Sequence, residues 1–232
     1  MSNLRVLIIC EESQRVCIAM REHGNEAYSC DILPCSGGHP EWHINADAIP
    51  LLNGNCEFET MDGLIHRVDG RWDLIIAHPP CTYLSNAGAV RLRVNGVLNE
   101  ERMEKARKAK EFFMAIYNAD CRRIAIENPV PGRIHELPPY TQIIEPYWFG
   151  EPWKKRTCLW LKNLPLLVPT NMVEPTGLWV GATSKRTDPG FDERYKKSGI
   201  RDRKRRSKTF VGIANAFAEQ WGSLYGEVRP AA

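Results

Sequence analysis

Hydrophobic positions along the chain follow two rhythms. Short, nearly unbroken apolar runs occur at Leu4–Cys10 (LRVLIIC), Ala27–Cys30, Trp72–Ala77 (WDLIIA), Arg123–Ile126 (RIAI) and Thr157–Leu161 (TCLWL). Runs of that length read as strands covered on both faces. Spacings of three and four predict helices between them. Arg15–His23 offers Val16, Ile18, Ala19 and Met20 to a buried side and meets a stop at Gly24. Glu100–Tyr117 is a long amphipathic helix with Met103, Ala106, Phe113 and Ile116 inward and a Lys/Arg-rich face outward. Met61–Val68 reads as a short helix, His43–Ala48 as irregular, and Thr209–Trp221 (TFVGIANAFAEQW) as a last helix. No internal repeat is visible.

Strand, helix, strand between Leu4 and Cys30 is the βαβ unit of a doubly wound sheet. The expected fold class is therefore α/β, Rossmann-like, with a mostly parallel sheet and helices on both faces. Such sheets bind ligands at the carboxyl ends of their strands, here near Cys10–Gln14 and Asp31. After Leu164 the rhythm breaks, because Pro165, Pro169, Pro175, Gly177, Gly181, Pro189 and Gly190 punctuate the chain. Three parts follow: a catalytic and cofactor-binding domain over 1–163, a small irregular lobe over 164–207, and 208–232, whose helix returns to the domain.

Composition narrows the class. The 232 residues are 43% hydrophobic and 25% charged, ordinary for a globular domain and against wholesale disorder. No apolar run approaches the roughly 18 residues of a membrane span, so no membrane contact is expected. The first residues lack the long apolar region and cleavage site of a secretory signal. The eight cysteines are accordingly expected to be reduced thiols in a cytoplasm. Lys and Arg total 31 against 28 Asp and Glu, a net +3. Between Lys185 and Lys208, however, eleven Lys or Arg face four Asp or Glu. A cationic segment on a mildly acidic body points to a polyanion, most simply nucleic acid.

The chemistry-bearing stretch is AHPPCTYLSNAG, Ala77–Gly88. A strand ends at Ala77, Pro79 and Pro80 stiffen its exit, and Cys81 falls where a doubly wound sheet binds ligands. A second strand ends at Glu127-Asn128-Pro129, bringing a carboxylate to the same rim. Thiol plus carboxylate suits nucleophilic attack assisted by an acid. A cysteine after a Pro-Pro turn also serves as a packing residue, and that reading stands beside the first. Cys30, Cys35, His39 and His43 are spaced within reach of zinc-finger intervals, but only three residues separate the two pairs where a finger uses about twelve. No metal site is assigned.

These residues carry a resemblance. HPPCTYLSNAG is similar to the Pro-Cys nucleophile motif of DNA cytosine-5 methyltransferases, usually close to GPPCQ-x-F-S-x-A-G. Pro79, Pro80, Cys81, Ser85, Ala87 and Gly88 match; Thr82 replaces Gln and His78 replaces Gly. IAIENPVPG (Ile124–Gly132) resembles the Glu-Asn-Val motif, with Pro129 for Val. FGEPWKKRTCLWL resembles the Gly-Val-Pro-Gln-x-Arg-x-Arg segment, with Arg156 as its second Arg, Lys154 in place of the first, and no Gln. GIANA (Gly212–Ala216) resembles the Gly-Asn-Ala of the last motif. The matches keep the family's order, cover roughly 1–163 and 208–222, and suggest a small phage-type member.

The resemblance implies the S-adenosylmethionine-dependent methyltransferase fold and a mechanism. Cys81 would add to C6 of cytosine, Glu127 would hold the N3/N4 edge and protonate N3, and C5 would take the methyl group. Arg156 would clamp O2 and the neighbouring backbone. A thiol of ordinary pKa, about 8.5, is only a few per cent thiolate at neutral pH, so Cys81 must be activated or deprotonated on attack. The target base must leave its stack first. For the cofactor the implied residues are Cys10, Ser13, Gln14, Asp31, Asp47, Pro79 and Asn215. The first loop departs from the family's Phe-x-Gly-x-Gly, for Cys10–Gln14 contains no glycine.

For DNA the implied contacts are Ser85, Lys154, Arg203, Lys204, Arg205, Arg206 and Lys208, with Trp179, Phe191 and Tyr195 available to stack on bases. The lobe over 164–207 is small for reading a long site, which favours short or relaxed specificity or a single-stranded target. The expected protein is a cytoplasmic monomer of a bacterial or phage-infected cell, without an obligate protein partner, serving DNA methylation such as protection against restriction. Two alternatives stand beside it: C5 modification of RNA or a free pyrimidine nucleotide, and an inactive nucleic-acid-binding protein.

Overall fold

The computed structural model describes residues 3–176, 178–180 and 207–224. In chain order they form β1 (Arg5–Ile9), α1 (Arg15–Glu22), β2 (Glu26–Cys30), β3 (His43–Ile44), β4 (Cys56–Glu59), β5 (Ile65–Val68), β6 (Leu74–Ala77), α2 (Asn86–Ala89), β7 (Arg93–Val94), β8 (Val97–Leu98), α3 (Glu100–Tyr117), β9 (Ile124–Pro129), β10 (Gln142–Ile144), β11 (Trp153–Lys154), β12 (Thr157–Lys162), β13 (Leu178–Trp179) and α4 (Val211–Trp221).

The helices start and stop where local chemistry dictates. At the end of α1, Gly24 takes φ +80° and donates to the Arg21 carbonyl, while the Asn25 N–H reaches back to Met20. That pair of bonds is a Schellman turn, which favours glycine at the left-handed position. Asn99 caps α3 by accepting from the Arg102 N–H at 3.0 Å, and Glu100 and Glu101 sit in its first turn against the helix dipole. Its outer face carries the pairs Glu101–Lys105 and Glu104–Arg107.

A seven-stranded sheet has the order β10-β12-β9-β6-β1-β2-β3. From β3 through β9 neighbouring strands are parallel, whereas β12 runs antiparallel to both β9 and β10. The fold is α/β and Rossmann-like. Both faces are covered, which is why the strands are apolar at successive positions. On one face Val6, Ile8, Leu74, Ile76 and Leu159 pack with Val16 and Met20 of α1 and with Ile213, Phe217 and Trp221 of α4. On the other, Leu7, Ile9, Ile75, Ile126 and Trp160 pack with Phe113 and Ile116 of α3. Leu164 and Leu167, at the start of the 164–207 segment, join the α1/α4 core.

Three local expectations need correction. Met61–Val68 is not a helix: Ile65–Val68 pairs antiparallel with Cys56–Glu59 across a turn at Gly63, φ +87°. Its residues alternate in burial, with Val68 in the core and Ile65 outside, so the true period is two. His43–Ile44 is a strand because Ser29 and Cys30 of β2 pair with it. In α1 the fully buried neighbour is Cys17, while Ile18 is only partly covered.

Candidate active site

Topology brings the candidate residues to one rim. The chain leaves β1 for β2 on one side and later returns to β6 on the other, so the order reverses at β1. Open sheets bind ligands beside such a point, at the strands' carboxyl ends. Ile9 is level with both Cys30 and Ala77, and Ala77 with Ile126. The next residues, Cys10, Asp31, His78 and Glu127, therefore line up along one edge. Because β12 runs the other way, its beginning lies on this rim, and Lys155 and Arg156 precede it.

Glu127 is the electrostatic centre. Antiparallel pairing with β12 carries β9 past Ile126, so Glu127 and Asn128 lie within the strand, opposite Leu159 and Cys158. Leu159 belongs to the α1/α4 core, and Glu127 faces that side. Its Oε2 accepts from His78 Nδ1 at 2.8 Å, and its Oε1 lies 3.9 Å from Lys155 Nζ. Burial by itself raises a carboxyl pKa, but Lys155 and the His78 hydrogen bond overcome it and hold Glu127 down at about 2. The next residue faces the opposite way. The Asn128 amide donates to the Pro79 carbonyl at 2.8 Å and so fixes the Pro-Pro turn ahead of Cys81.

The segment after Cys81 is tied down twice. Arg102 of α3 donates to the Thr82 and Gly88 carbonyls. Backbone bonds from Asn86 to Val130 and from Gly132 to Leu84 join it to the loop after β9. Cys81 is half-buried and forms no disulfide. Ser85 is buried, and its hydroxyl caps α2 by accepting from the Gly88 N–H at 3.1 Å.

The loop after β1 solves its geometry without glycine. Cys10 and Gln14 take φ +60° and +58°, conformations costly for side-chain-bearing residues and concentrated at functional sites. Glu11 is buried and accepts from the Val16 and Cys17 N–H groups at 2.6 and 3.1 Å, satisfying donors at the start of α1. Burial raises Glu11 to about 7, against the pull of nearby His78 and these bonds. Gln14 is buried and bonded to Ser29 and to the His39 backbone. Ser13 is buried beside it.

Asp31 and Asp47 flank Cys10 closely enough to help burial raise its thiol pKa. Asp31 accepts from the Leu33 N–H and Asp47 from the Ile49 N–H. A carboxylate directly after β2, beside a tightly turned first loop, fits the ribose hydroxyls of an adenosine-type cofactor.

The remaining candidates divide. Lys208 joins this rim: its Nζ donates to Ser36 Oγ at 2.9 Å and lies 3.9 Å from Glu12. Arg156 is exposed, Lys154 is half-buried in β11, and Asn215 is exposed on α4. Arg203, Lys204, Arg205 and Arg206 lie outside the described residues, as do Phe191, Tyr195 and the Trp179 side chain. Around the considered zinc residues, both His43 ring nitrogens are engaged, by Ser29 and by the Leu33 carbonyl. Among the described residues no group of three or more His, Cys, Asp or Glu is placed to hold a metal ion. No described helix is long and apolar enough to cross a membrane.

Sequence reasoning passed over His78, Lys155 and Glu11. For Lys155 the signal is strand parity, which can be counted only once the register is known: back in twos from Leu159, opposite Glu127, it leads through Thr157 to Lys155, while Arg156 has the other parity.

No protein-family model matches the chain, and no curated protein matches it in sequence. Among solved structures it is similar to a protein described as a DNA modification methyltransferase encoded within a prophage of E. coli, at 13% identity and a TM-score of 0.41, over 74% of this chain and 52% of that one. It is also similar to the S. pombe Dnmt2 methyltransferase, at 16% identity and a TM-score of 0.38, over 70% of this chain and 50% of that one. The chain thus spans about half the length of each.

Proposed function

We propose that the chain methylates C5 of cytosine in DNA through a covalent adduct at Cys81. What supports the reading is the pairing at one rim of a half-buried thiol, on a turn clamped by Asn128, with a buried carboxylate held ionised by His78 and Lys155. An anionic Glu127 matches the exocyclic N4 amino donor of cytosine, which thymine lacks. An ionised Glu127 holds no proton of its own to give to N3, so its role is to accept at the N3/N4 edge rather than to act as the acid expected from the motif. Cys81 attacks C6, forming the C–S bond, and the thiol proton passes to N3. Once C5 is methylated its proton is lost to water, the C6–S bond breaks to restore the ring, and N3 returns its proton to the thiolate. Arg156, exposed at the rim, is available to O2 and to the backbone phosphate. S-adenosylmethionine, when bound, supplies the methyl group; Asp31 would hold its ribose and Asp47 its adenine. Cys10, Ser13, Gln14, Pro79 and Asn215 complete the proposed cofactor set. Lys154, Lys208 and the basic run Arg203–Arg206 are proposed to face DNA, whereas Ser85, buried with its hydroxyl capping α2, is left to shape the turn after Cys81 rather than to contact DNA.

Incubation with labelled S-adenosylmethionine and DNA, RNA or free cytosine nucleotide tests the reading. Label entering DNA with the wild type but not with Cys81→Ala is the expected result, with a stable adduct on 5-fluorocytosine DNA. Equal labelling by Cys81→Ala would overturn the mechanism. Cofactor binding without transfer to any of the three would replace it with a nucleic-acid-binding role.

A further inference from the structure

His78 stands where the resembled motif has glycine, and a glycine could contribute no polar side-chain atom. Here an imidazole is almost wholly buried, at 8% exposure, beside a Glu127 side chain at 9%. The register places them side by side, one residue beyond the level pair Ala77 and Ile126. Nδ1 lies 2.8 Å from Glu127 Oε2 and 3.4 Å from Thr209 Oγ1. The far nitrogen, Nε2, is buried with no hydrogen-bond partner among the described residues. A desolvated, unpartnered nitrogen destabilises the fold, and an apolar ring would fill the space without that penalty. The histidine is therefore explained by what Nδ1 does.

We propose that His78 is a positioning residue whose Nδ1–H holds Oε2 of Glu127, fixing the plane of the carboxylate and leaving Oε1 to Lys155 and the base. The proposal rests on the reading of Glu127 as the group that meets cytosine. An ionised carboxylate can only accept, so the Nδ1 proton is assigned to His78. Among the described residues, the titratable groups facing His78 are Glu127 from β9 and Glu11 from the loop after β1, the latter kept neutral between pH 3 and 5 by its burial; those facing Glu127 are His78 and Lys155. The chain thus supplies from its Pro-Cys turn a contact that orients the acid on the neighbouring strand.

The test compares His78→Phe, which keeps a ring and removes the donor, with His78→Asn, which restores an N–H. Carbon-13 carboxyl signals of glutamate-labelled protein, with Glu127 identified through Glu127→Gln, are followed between pH 3 and 5. Wild-type Glu127 should stay ionised, the phenylalanine variant should titrate within the window, and the asparagine variant should fall between. Methyl transfer should lose about 100-fold in kcat in His78→Phe, as expected for a misplaced reacting group, with KM for the cofactor unchanged. Should His78→Phe fail to fold, His78→Ala carries the same comparison. A Glu127 titration identical in wild type and the donorless variant would overturn the proposal. A shifted titration in a protein that methylates nothing would retain the His78–Glu127 link and reject the methyltransferase reading.

Discussion

Replacing Glu127 by Gln should flatten the acid limb of the stability curve. Glu127 has an ordinary carboxyl value of 4.5 and is held at about 2 in the folded chain, by Lys155 and His78 against burial. At pH 6 both folded and unfolded chains carry the ionised group, and its full stabilisation is present. Below the ordinary value the unfolded chain takes up a proton that the folded chain refuses, so stability is lost as pH falls towards 2. Between pH 6 and pH 3 this linkage removes about 2 kcal/mol. Urea unfolding followed by tryptophan fluorescence at several pH values would measure it, since Trp72, Trp160 and Trp221 are fully buried reporters. Comparing the variant with the wild type at each pH cancels the carboxylates outside this cluster, and Glu11, which shares His78 as a neighbour, titrates in the folded chain above the window used. If Glu127→Gln loses stability as steeply as the wild type, the buried charge cluster is not as described.

Glu11 should behave in the opposite sense. Burial raises it to about 7, so the folded chain retains a proton that the unfolded chain has already lost, and stability falls as pH rises from about 4.5 to 7. Thermal unfolding at pH 5 and 7.5 should show that fall in the wild type and its loss in Glu11→Gln. Gly212 opens α4 against the Phe149 carbonyl, which a Cβ would overlap. Gly212→Ala should therefore cost about 1–3 kcal/mol by urea unfolding, through displacement of the helix that covers one face of the sheet. An unchanged urea midpoint would contradict that packing.

Much of the fold was legible because burial leaves a local record. Apolar runs marked β1, β2, β6, β9 and β12, and the spacing in Glu100–Tyr117 marked α3, because each side chain's environment repeats with the period of its element. Reading failed where the period rested on few residues. Met61–Val68 contains hydrophobic positions that suit a helix turn, and only pairing with Cys56–Glu59 makes Ile65–Val68 a strand. His43–Ile44 carries no signal of its own; it is a strand because β2 offers it an edge. The cofactor-loop question was also local in form. The missing glycines were plain in the sequence, but not that Cys10 and Gln14 take positive φ without them.

The sequence alone determined that Cys81 and Glu127 belong to the carboxyl-terminal side of a doubly wound sheet, and hence that they share a rim, since strand polarity in such a sheet follows from connectivity; that Glu127 lies within β9 rather than after it came from the pairing with β12. It could not determine which cation meets the acid. Lys154, Lys155 and Arg156 are consecutive, chemically alike, and equally plausible to any motif. Register with β9 selects Lys155 and leaves Arg156 exposed. Likewise His78 was visible as a departure from a motif, but its bond to Glu127 exists only because β6 and β9 are level neighbours. Element type is written in nearest-neighbour periodicity, whereas a buried ion pair depends on distance across strands far apart in the chain. A one-residue shift of register would turn a different side chain inward. Tertiary structure therefore decided the charge state of the site.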